Sequence, residues 1–296
     1  MDAINSTAYC VKFMAAASPD TLPENLFQNL QALYQQALAI DSTDIEANFN
    51  LGLLYLQFNQ DLALALDCFK TCVARDDESE EATLYKVQFA KSYYNIGMIY
   101  DKLGHVQMAS ESYLMAMTTC RNDPQGQLTK SATYKKAGTN YAVTLEKLDQ
   151  RDTAVGTLSA LKDTFGNEVR VYNNLGIIQK RNGDSEGALE SYEKALKVDR
   201  ASFFPNYNLG VLLSQEKMQP AESLIYFNRA LDQAHKAQEQ LYEINVLINI
   251  ALIHEGQESY PAAIEHMEKA LKIDPENTKI QTKLKQLQAG GGARVS

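Results

Sequence analysis

A helical spacing of apolar residues recurs six times along the chain. In each case a small residue is followed four positions later by an aromatic or large apolar residue and, three further on, by another apolar residue. Residues at these spacings share one face of an α-helix, so each set predicts a helix that buries one stripe. The six sets are Ala65, Phe69, Cys72; Ala109, Tyr113, Ala116; Ala154, Leu158, Leu161; Ala188, Tyr192, Ala195; Ser223, Phe227, Ala230; and Ala263, Met267, Ala270.

A second pattern precedes each of these predicted helices. It is an asparagine followed by a large apolar residue and a small one: Asn50-Leu51-Gly52, Asn95-Ile96-Gly97, Asn140-Tyr141-Ala142, Asn174-Leu175-Gly176, Asn208-Leu209-Gly210 and Asn249-Ile250-Ala251. Turn-forming stretches such as Asn182-Gly183-Asp184 separate the two patterns. Each unit is therefore predicted to be helix, turn, helix, and small residues on the facing stripes allow the two helices to approach closely.

These offsets resemble the tetratricopeptide repeat family, whose unit carries Leu-Gly, Tyr, Ala and an aromatic residue at fixed places. The fourth unit fits best, through Tyr172, Leu175, Gly176, Gly183, Ala188, Tyr192 and Ala195. The resemblance extends over about Ile45 to Pro275, and Tyr34 and Ala37 indicate a further second helix before it. Departures are the absence of Trp, the pair Tyr141-Ala142 in the third unit, and a closing Pro in the last unit alone.

The resemblance implies an all-α fold, a right-handed superhelical solenoid of helix-turn-helix repeats. We expect a single solenoid over residues 1–288, with a partial N-terminal repeat to about 44, six repeats over about 45–275 and a capping helix over about 277–288. Residues 289–296 are expected to be a flexible tail because of their glycines. Unequal unit spacing predicts that Asp76–Val87, Arg121–Thr133 and Gln233–Glu243 either lengthen the flanking helices or protrude as loops.

Catalytic and metal-binding signatures are missing from the sequence. There is no glycine-rich phosphate loop, no Cys-x-x-Cys pair among four cysteines, and no metal-binding spacing among four histidines. The acidic run from Asp76 to Glu81 lacks the turn glycine and terminal Glu of a calcium loop. We therefore expect no enzymatic activity, no cofactor and no bound metal.

Composition favours a folded cytoplasmic protein. The 296 residues are 45% hydrophobic and carry a net charge of −9. No apolar run approaches the length of a membrane span, and the first residues lack the basic flank of a secretory signal. We expect a cytoplasmic location without membrane insertion, and the acidic balance argues against nucleic-acid binding.

The repeated asparagines are expected to form one row on the concave surface. A side-chain amide can both accept and donate, so it can pair with the backbone of one residue of an extended peptide. The arrangement resembles the asparagine ladders of superhelical, peptide-binding members of the family. The alternative is that Asn is simply common at this position of the repeat.

Basic residues lie four before and seven after three of the asparagines. They are Lys91, Lys102, Lys136, Lys147, Arg170 and Arg181. Such positions share a helix face with the asparagine, so they predict a positive strip on an acidic chain. A basic residue before the turn is also common in the family, which is the competing interpretation.

Apolar residues flank the asparagines as well. Phe49, Tyr94 and Tyr207 directly precede three of them and are candidates for ligand contact. Three positions after the asparagines come Leu53, Met98, Val143, Ile177, Val211 and Leu252, which belong either to the edge of the core or to apolar pockets in the groove.

The sequence thus predicts a non-enzymatic adaptor that binds an extended or partly helical protein segment, acidic in its middle. One alternative is a structural subunit of a larger trafficking or ciliary assembly, held through convex faces and inter-repeat connections. A chaperone-tail receptor is a weaker alternative, because its carboxylate clamp needs a Lys and an Asn where this chain has Phe49 and Leu53, or Tyr94 and Met98.

Overall fold

A computed structural model describes residues 26–59, 61–77 and 79–292. These residues form fifteen α-helices and contain no strand. The chain divides into two compact units, residues 1–157 and 158–296, with the boundary inside one helix. The all-α prediction is confirmed, whereas a single solenoid across residues 1–288 stays a prediction. Residues 1–25, at the start of the expected partial repeat, lie outside the described residues.

The first unit holds seven helices and the beginning of an eighth. They are α1 (Leu26–Ile40), α2 (Ile45–Leu54), α3 (Leu62–Val73), α4 (Glu80–Leu84), α5 (Lys86–Lys102), α6 (Val106–Arg121), α7 (Ala132–Lys147) and α8 (Arg151–Phe165). Helices α2 and α3 pack as one pair, and α5 and α6 as the next. Helix α1 buries Tyr34 and Ala37, as the sequence predicted for a preceding second helix.

The second unit continues the alternation. After the end of α8 come α9 (Val169–Arg181), α10 (Ser185–Val198), α11 (Phe203–Gln215), α12 (Pro220–Lys236), α13 (Gln240–Gly256), α14 (Tyr260–Ile273) and α15 (Thr278–Gly292). Helices α9 and α10, α11 and α12, and α13 and α14 pack as pairs, and α15 packs on α14. In every repeat we call the asparagine-bearing helix the first helix and its partner the second helix.

Close packing within each pair explains the small residues of the two patterns. All residues of the six sets on the second helices are buried. A Cβ atom added at Gly97 would lie 2.7 Å from the ring of Tyr113, and one at Gly176 would lie 2.6 Å from Tyr192. The ring of each second helix therefore occupies the space that a side chain on the first helix would need.

The turns inside the repeats share one backbone conformation. From the second repeat to the sixth, each turn between first and second helix contains one residue with positive φ, in the left-handed region. These residues are Gly104, Asp149, Gly183, Met218 and Glu258. A residue in this conformation ends a helix and directs the following backbone N–H groups to the last carbonyl groups of the helix. The conformation favours glycine but does not require it.

The long connections take different forms. Residues 76–87 contain the short helix α4, and residues 121–133 contain a 3₁₀ turn at Leu128–Lys130. The third predicted connection mainly lengthens its flanking helices, because α12 runs to Lys236 and α13 begins at Gln240. Both expected outcomes, longer helices and loops, thus occur.

A largely buried ion pair anchors the first long connection. Nζ of Lys86 lies 2.7 Å from Oδ1 of Asp76, with side-chain exposures of 12% and 8%. Oδ2 of Asp76 accepts a hydrogen bond from the hydroxyl of Thr119 on α6 at 3.1 Å. The acidic run therefore begins with a structural carboxylate and continues into the exposed start of α4.

The chain end differs from the expected tail. Helix α15 continues to Gly292 instead of ending near residue 288. Leu287 is buried, and the backbone at Gly290 lies close to the ring of Tyr260. These contacts hold a glycine-rich stretch in a helix, although glycine disfavours one intrinsically.

Candidate functional site

The repeated asparagines lie on the first helices of both units. In residues 1–157 they are Asn50, Asn95 and Asn140, on α2, α5 and α7; in residues 158–296 they are Asn174, Asn208 and Asn249, on α9, α11 and α13. Asn95 is only 7% exposed, and the other five are half-buried. Consecutive first helices contact one another within each unit. Each unit therefore carries its own asparagine row.

Two asparagines of the second unit connect neighbouring first helices. Nδ2 of Asn208 donates to Oδ1 of Asn173 at 3.0 Å. Nδ2 of Asn249 donates to the hydroxyl of Tyr207 at 3.2 Å and to the backbone carbonyl of Asn245 at 2.8 Å. Part of the amide capacity is thus used in holding α9, α11 and α13 side by side.

Other asparagines keep more of their hydrogen-bonding capacity. Nδ2 of Asn50 donates to the carbonyl oxygen of Glu46 at 2.9 Å, within its own helix. The side chains of Asn95 and Asn174 form no hydrogen bond with any described residue. An amide has two N–H donors and one carbonyl acceptor, so the half-buried Asn174 can still bind a partner, whereas Asn95 can do so only through the 7% of it that is exposed.

A second set of asparagines, which the sequence analysis missed, has a structural role. Nδ2 of Asn48 donates to the carbonyl oxygens of Ser42 and Asp44, at 3.0 and 2.8 Å. Asn206 makes the same pair of bonds to the connection before α11, at 3.0 and 2.8 Å. Both precede a row asparagine by two positions, and this Asn-x-Asn spacing was the available signal.

The basic residues are separated by the structure into two groups. Lys91, Lys102 and Lys136 are exposed and make no ion pair with another described residue. Arg170 and Arg181, in the second unit, are also exposed. The three lysines leave positive charge accessible beside Asn95 and Asn140.

Lys147 is engaged differently. Its Nζ lies 2.6 Å from Oδ1 of Asp101, which is on the preceding first helix. A basic residue before the turn can therefore connect successive repeats, which accounts for one of the six without a ligand. Similar contacts in the second unit are Lys180–Glu216 (3.7 Å) and Lys283–Glu255 (2.7 Å).

The three aromatic candidates pack against the core. Each is half-buried and contacts the central ring of its own second helix. The ring centroids are 6.2 Å apart for Phe49 and Phe69, 5.8 Å for Tyr94 and Tyr113, and 5.8 Å for Tyr207 and Phe227. These rings therefore support the asparagine rows, and only their uncovered edges can reach a ligand.

The described cysteines are packed thiols. Burial raises the pKa of Cys68 and Cys120 to about 11 and that of Cys72 to about 12. Thiolates are the reactive form, so these groups are poor nucleophiles at neutral pH. Cys10 lies outside the described residues.

A histidine pair lies between α13 and α14. The rings of His254 and His266 stack with centroids 5.4 Å apart, and Nδ1 of His254 is buried without a hydrogen-bond partner. Burial, and then the neighbouring His266, lower the pKa of His254. Within residues 26–59, 61–77 and 79–292 no group of three or more His, Cys, Asp or Glu could hold a metal ion.

Among the described helices, none combines the length and the apolar character that crossing a bilayer requires.

Sequence comparison identifies the repeats directly. Profiles described as tetratricopeptide repeat match residues 90–123, 169–201 and 203–276. The probable UDP-N-acetylglucosamine–peptide N-acetylglucosaminyltransferase SPINDLY of Hordeum vulgare is 28% identical over 206 residues, which is 70% of this chain and 16% of that protein. The BBSome complex member BBS4 of Mus musculus is 32% identical over 102 residues, 34% of this chain. The chain thus spans only 16% and 18% of the length of these relatives.

Solved structures share the fold at low sequence identity. The Cut9 and Hcn1 hetero-tetramer of APC/C matches with a TM-score of 0.60 and 15% identity, covering 96% of this chain and 52% of that one. The C-terminal part of a tetratricopeptide repeat-containing protein from Cytophaga hutchinsonii gives 0.61 at 12% identity, covering 94% and 99%. Likeness at this level supports the fold alone.

Proposed function

This chain is a tetratricopeptide repeat protein, and on that premise we propose that it is a non-enzymatic adaptor whose asparagine rows bind an extended segment of another protein. The observation that carries the proposal is the unused hydrogen-bonding capacity of Asn95 and Asn174. Neither side-chain amide gains a hydrogen bond within the described chain, although Asn disfavours a helix by about 0.6 kcal/mol relative to Ala.

The spacing of the rows suits an extended chain. Packed helices lie about 8–10 Å apart, and extended chain advances about 3.3 Å per residue. Successive asparagines within one unit would therefore meet about every third residue of the bound segment. Bonds to the backbone tolerate many sequences, so specificity has to come from charge and from apolar contacts.

The exposed lysines indicate which charge the proposed partner carries. Lys91, Lys102 and Lys136 present uncompensated positive charge beside Asn95 and Asn140, on a chain of net charge −9. We therefore expect acidic residues in the middle of the bound segment. A cytoplasmic adaptor of this kind needs no cofactor.

A structural subunit of a larger assembly is the second candidate. Leu64 on α3 and Leu114 and Met115 on α6 are exposed apolar residues on second helices. BBS4, to which part of this chain is similar, is described as a member of the BBSome complex. Contacts through second helices would leave the asparagine rows free.

One affinity experiment separates the two candidates. The parent chain, the double variant Asn95→Ala with Asn140→Ala, and the double variant Leu114→Ser with Met115→Ser are each used to capture partners from the native cell. If the asparagine rows are the interface, the asparagine variant should lose its main partner and the second-helix variant should keep it. The reverse result would establish the subunit function instead, provided that circular dichroism shows all three chains folded.

A further inference from the structure

Helix α13 is apolar on more than its core face. Ile244, Leu247 and Ala251 are buried against α14 and α15. On another face Leu241 and Leu252 are 67% and 45% exposed. An amphipathic helix normally exposes polar residues there, but much of this second apolar stripe is left uncovered by the described chain.

Leu241 and Leu252 of the second stripe line a groove with two compartments, which we call the α13 groove. The compartment between α11 and α13 has a volume of about 340 Å³ and is lined by Met218, Asn249 and Leu252 among others. The compartment between α13 and α15 has a volume of about 350 Å³ and is lined by Leu241, Leu252 and Lys279 among others. Leu252 lines both and forms the ridge between them.

Met218 occupies its place at an energetic disadvantage. Its φ is +52°, in a region that disfavours side chains with a Cβ, and it is 77% exposed. Gly104 and Gly183 hold the corresponding turns of two other repeats, and Asp149 and Glu258, which are polar, hold those of two more. A flexible apolar side chain kept in a strained backbone at the mouth of an apolar compartment is typical of a binding surface.

Positive charge borders the compartment on the side of α15. This helix has Lys279, Lys283 and Lys285 and no acidic residue. Lys283 pairs with Glu255 at 2.7 Å, whereas Lys279 is exposed and makes no ion pair with a described residue.

The remaining polar groups of the compartment are the side chains of Asp274, Asn277 and Asn245. The carboxylate of Asp274 accepts a hydrogen bond from Nδ2 of Asn277 at 3.0 Å. The side-chain amide of Asn245 is exposed and forms no hydrogen bond with any described residue. A partner backbone can therefore bind Asn245 while a carboxylate of the partner faces Lys279.

We propose that the α13 groove binds an extended protein segment through two large apolar side chains, one in each compartment, with an acidic residue beside the anchor nearest α15. The inference rests on the proposed adaptor function and specifies the ligand class for the second unit. Packed helices are about 8–10 Å apart, so the anchors must be separated by about that distance. In a polyproline II segment, side chains at i and i+3 point the same way and lie about 9 Å apart, which fits this separation.

The test is a selection of random peptides displayed on phage against the full-length chain, followed by anisotropy measurements with the selected peptides labelled. We expect apolar residues at i and i+3 with a neighbouring Asp or Glu. Leu252→Ser should weaken peptide binding about tenfold, because the apolar contact that the bound peptide makes with Leu252 is lost. Ile225→Ser, at an apolar position on α12 with similar exposure (51% against 45% for Leu252), is the matched control and should leave affinity unchanged.

Two further variants report on Met218 and on charge. Met218→Gly relieves the strained backbone, so it should raise the melting temperature of the protein. It also removes the apolar side chain, so it should lower the affinity for the peptide about fivefold. Lys279→Glu should weaken binding about threefold in low salt, whereas Lys285→Glu, the same charge change on α15, should not.

The outcomes distinguish this inference from the adaptor function. Selected peptides that bind folded Leu252→Ser and Lys279→Glu as tightly as the parent overturn the α13 groove and leave the adaptor function intact. Failure to select any peptide overturns both. A concentration-dependent dimer of the parent that Leu252→Ser abolishes would show that the occupant is a second copy of the chain.

Discussion

At the scale of single residues, the effect of replacing a helical glycine depends on what faces it. A Cβ on Gly97 would overlap the ring of Tyr113, whereas nothing lies within 4 Å of the corresponding atom on Gly156. Both glycines are in helices of the first unit, yet only one is needed for packing. Glycine identity alone therefore does not predict the effect of a substitution.

Replacing Gly97 with Ala should destabilise the protein by about 1–3 kcal/mol, because the added methyl group overpacks the contact with Tyr113. Gly156→Ala should stabilise it by up to about 1 kcal/mol, since alanine has a higher helix propensity than glycine at an exposed helix position. Urea unfolding followed by circular dichroism measures both. Equal and small effects would show that the two helices do not pack as closely as described.

His254 gives the fold an acid-sensitive position. Its pKa is lowered in the folded chain, so the unfolded chain binds the proton first as pH falls. Gln257 and Glu265 face it as well and act against the shift. The associated stability is complete above the unfolded pKa of about 6.5 and decreases as pH drops from there through the folded value.

The variant His254→Tyr should consequently lose less stability than the parent between about pH 7 and pH 5. Melting temperatures at intervals across this range provide the measurement. His105→Gln, at an exposed histidine, is the control and should follow the parent. If the melting temperatures of His254→Tyr and the parent fall in parallel with pH, His254 is not the source of the acid sensitivity.

At the scale of elements, the first long connection depends on one buried pair. Asp76 joins the connection to Lys86 at the start of α5 and to Thr119 on α6. Removing one partner of a buried pair leaves the other charge uncompensated. The connection between α3 and α5 is thus part of the folded unit, which a solvated acidic loop would not be.

Asp76→Asn should destabilise the first unit by about 3 kcal/mol, because the charge of Lys86 loses its partner. It should also increase hydrogen exchange across α4. Combining it with Lys86→Met should restore much of the loss. Asp149→Asn, at an exposed ion pair with Arg151, is expected to change the free energy of unfolding by less than about 0.5 kcal/mol.

At the scale of the whole molecule, the charge distribution matters more than the net charge. The chain is acidic overall, with a charge of −9, but the exposed Lys91, Lys102 and Lys136 lie beside asparagines on first helices. Exposed charges are screened over about 8 Å at physiological ionic strength. Electrostatic steering and backbone clamping can therefore be separated by salt.

Affinity for the native partner should fall as salt increases. Lys91→Ala with Lys136→Ala should weaken binding and flatten that dependence, because the screened charges are gone. Asn95→Ala with Asn140→Ala should weaken binding and leave the salt dependence largely unchanged. Titrating each chain with the partner at three salt concentrations measures these affinities. Unchanged affinity in both folded double variants would exclude the asparagine row of the first unit as the interface.

The sequence by itself determined the helix pairs, their order and the family. The reason is that each repeat is a local structure: residues spaced by four and three positions bury one stripe, and small residues face the ring of the adjacent helix. Phe69, Tyr113 and Tyr192 could therefore be assigned to the core without coordinates, and they are fully buried.

Tertiary structure decided how the polar and exposed residues are used. Lys147 pairs with Asp101 on another repeat, and Asn249 bonds to Tyr207, because helices far apart in sequence become neighbours. The residues at i+3 from the asparagines share one pattern, yet Leu252 is an exposed ridge while Val211 is half-buried. Periodicity places a side chain on a helix face, and only the packing of the next helix determines whether that face is covered.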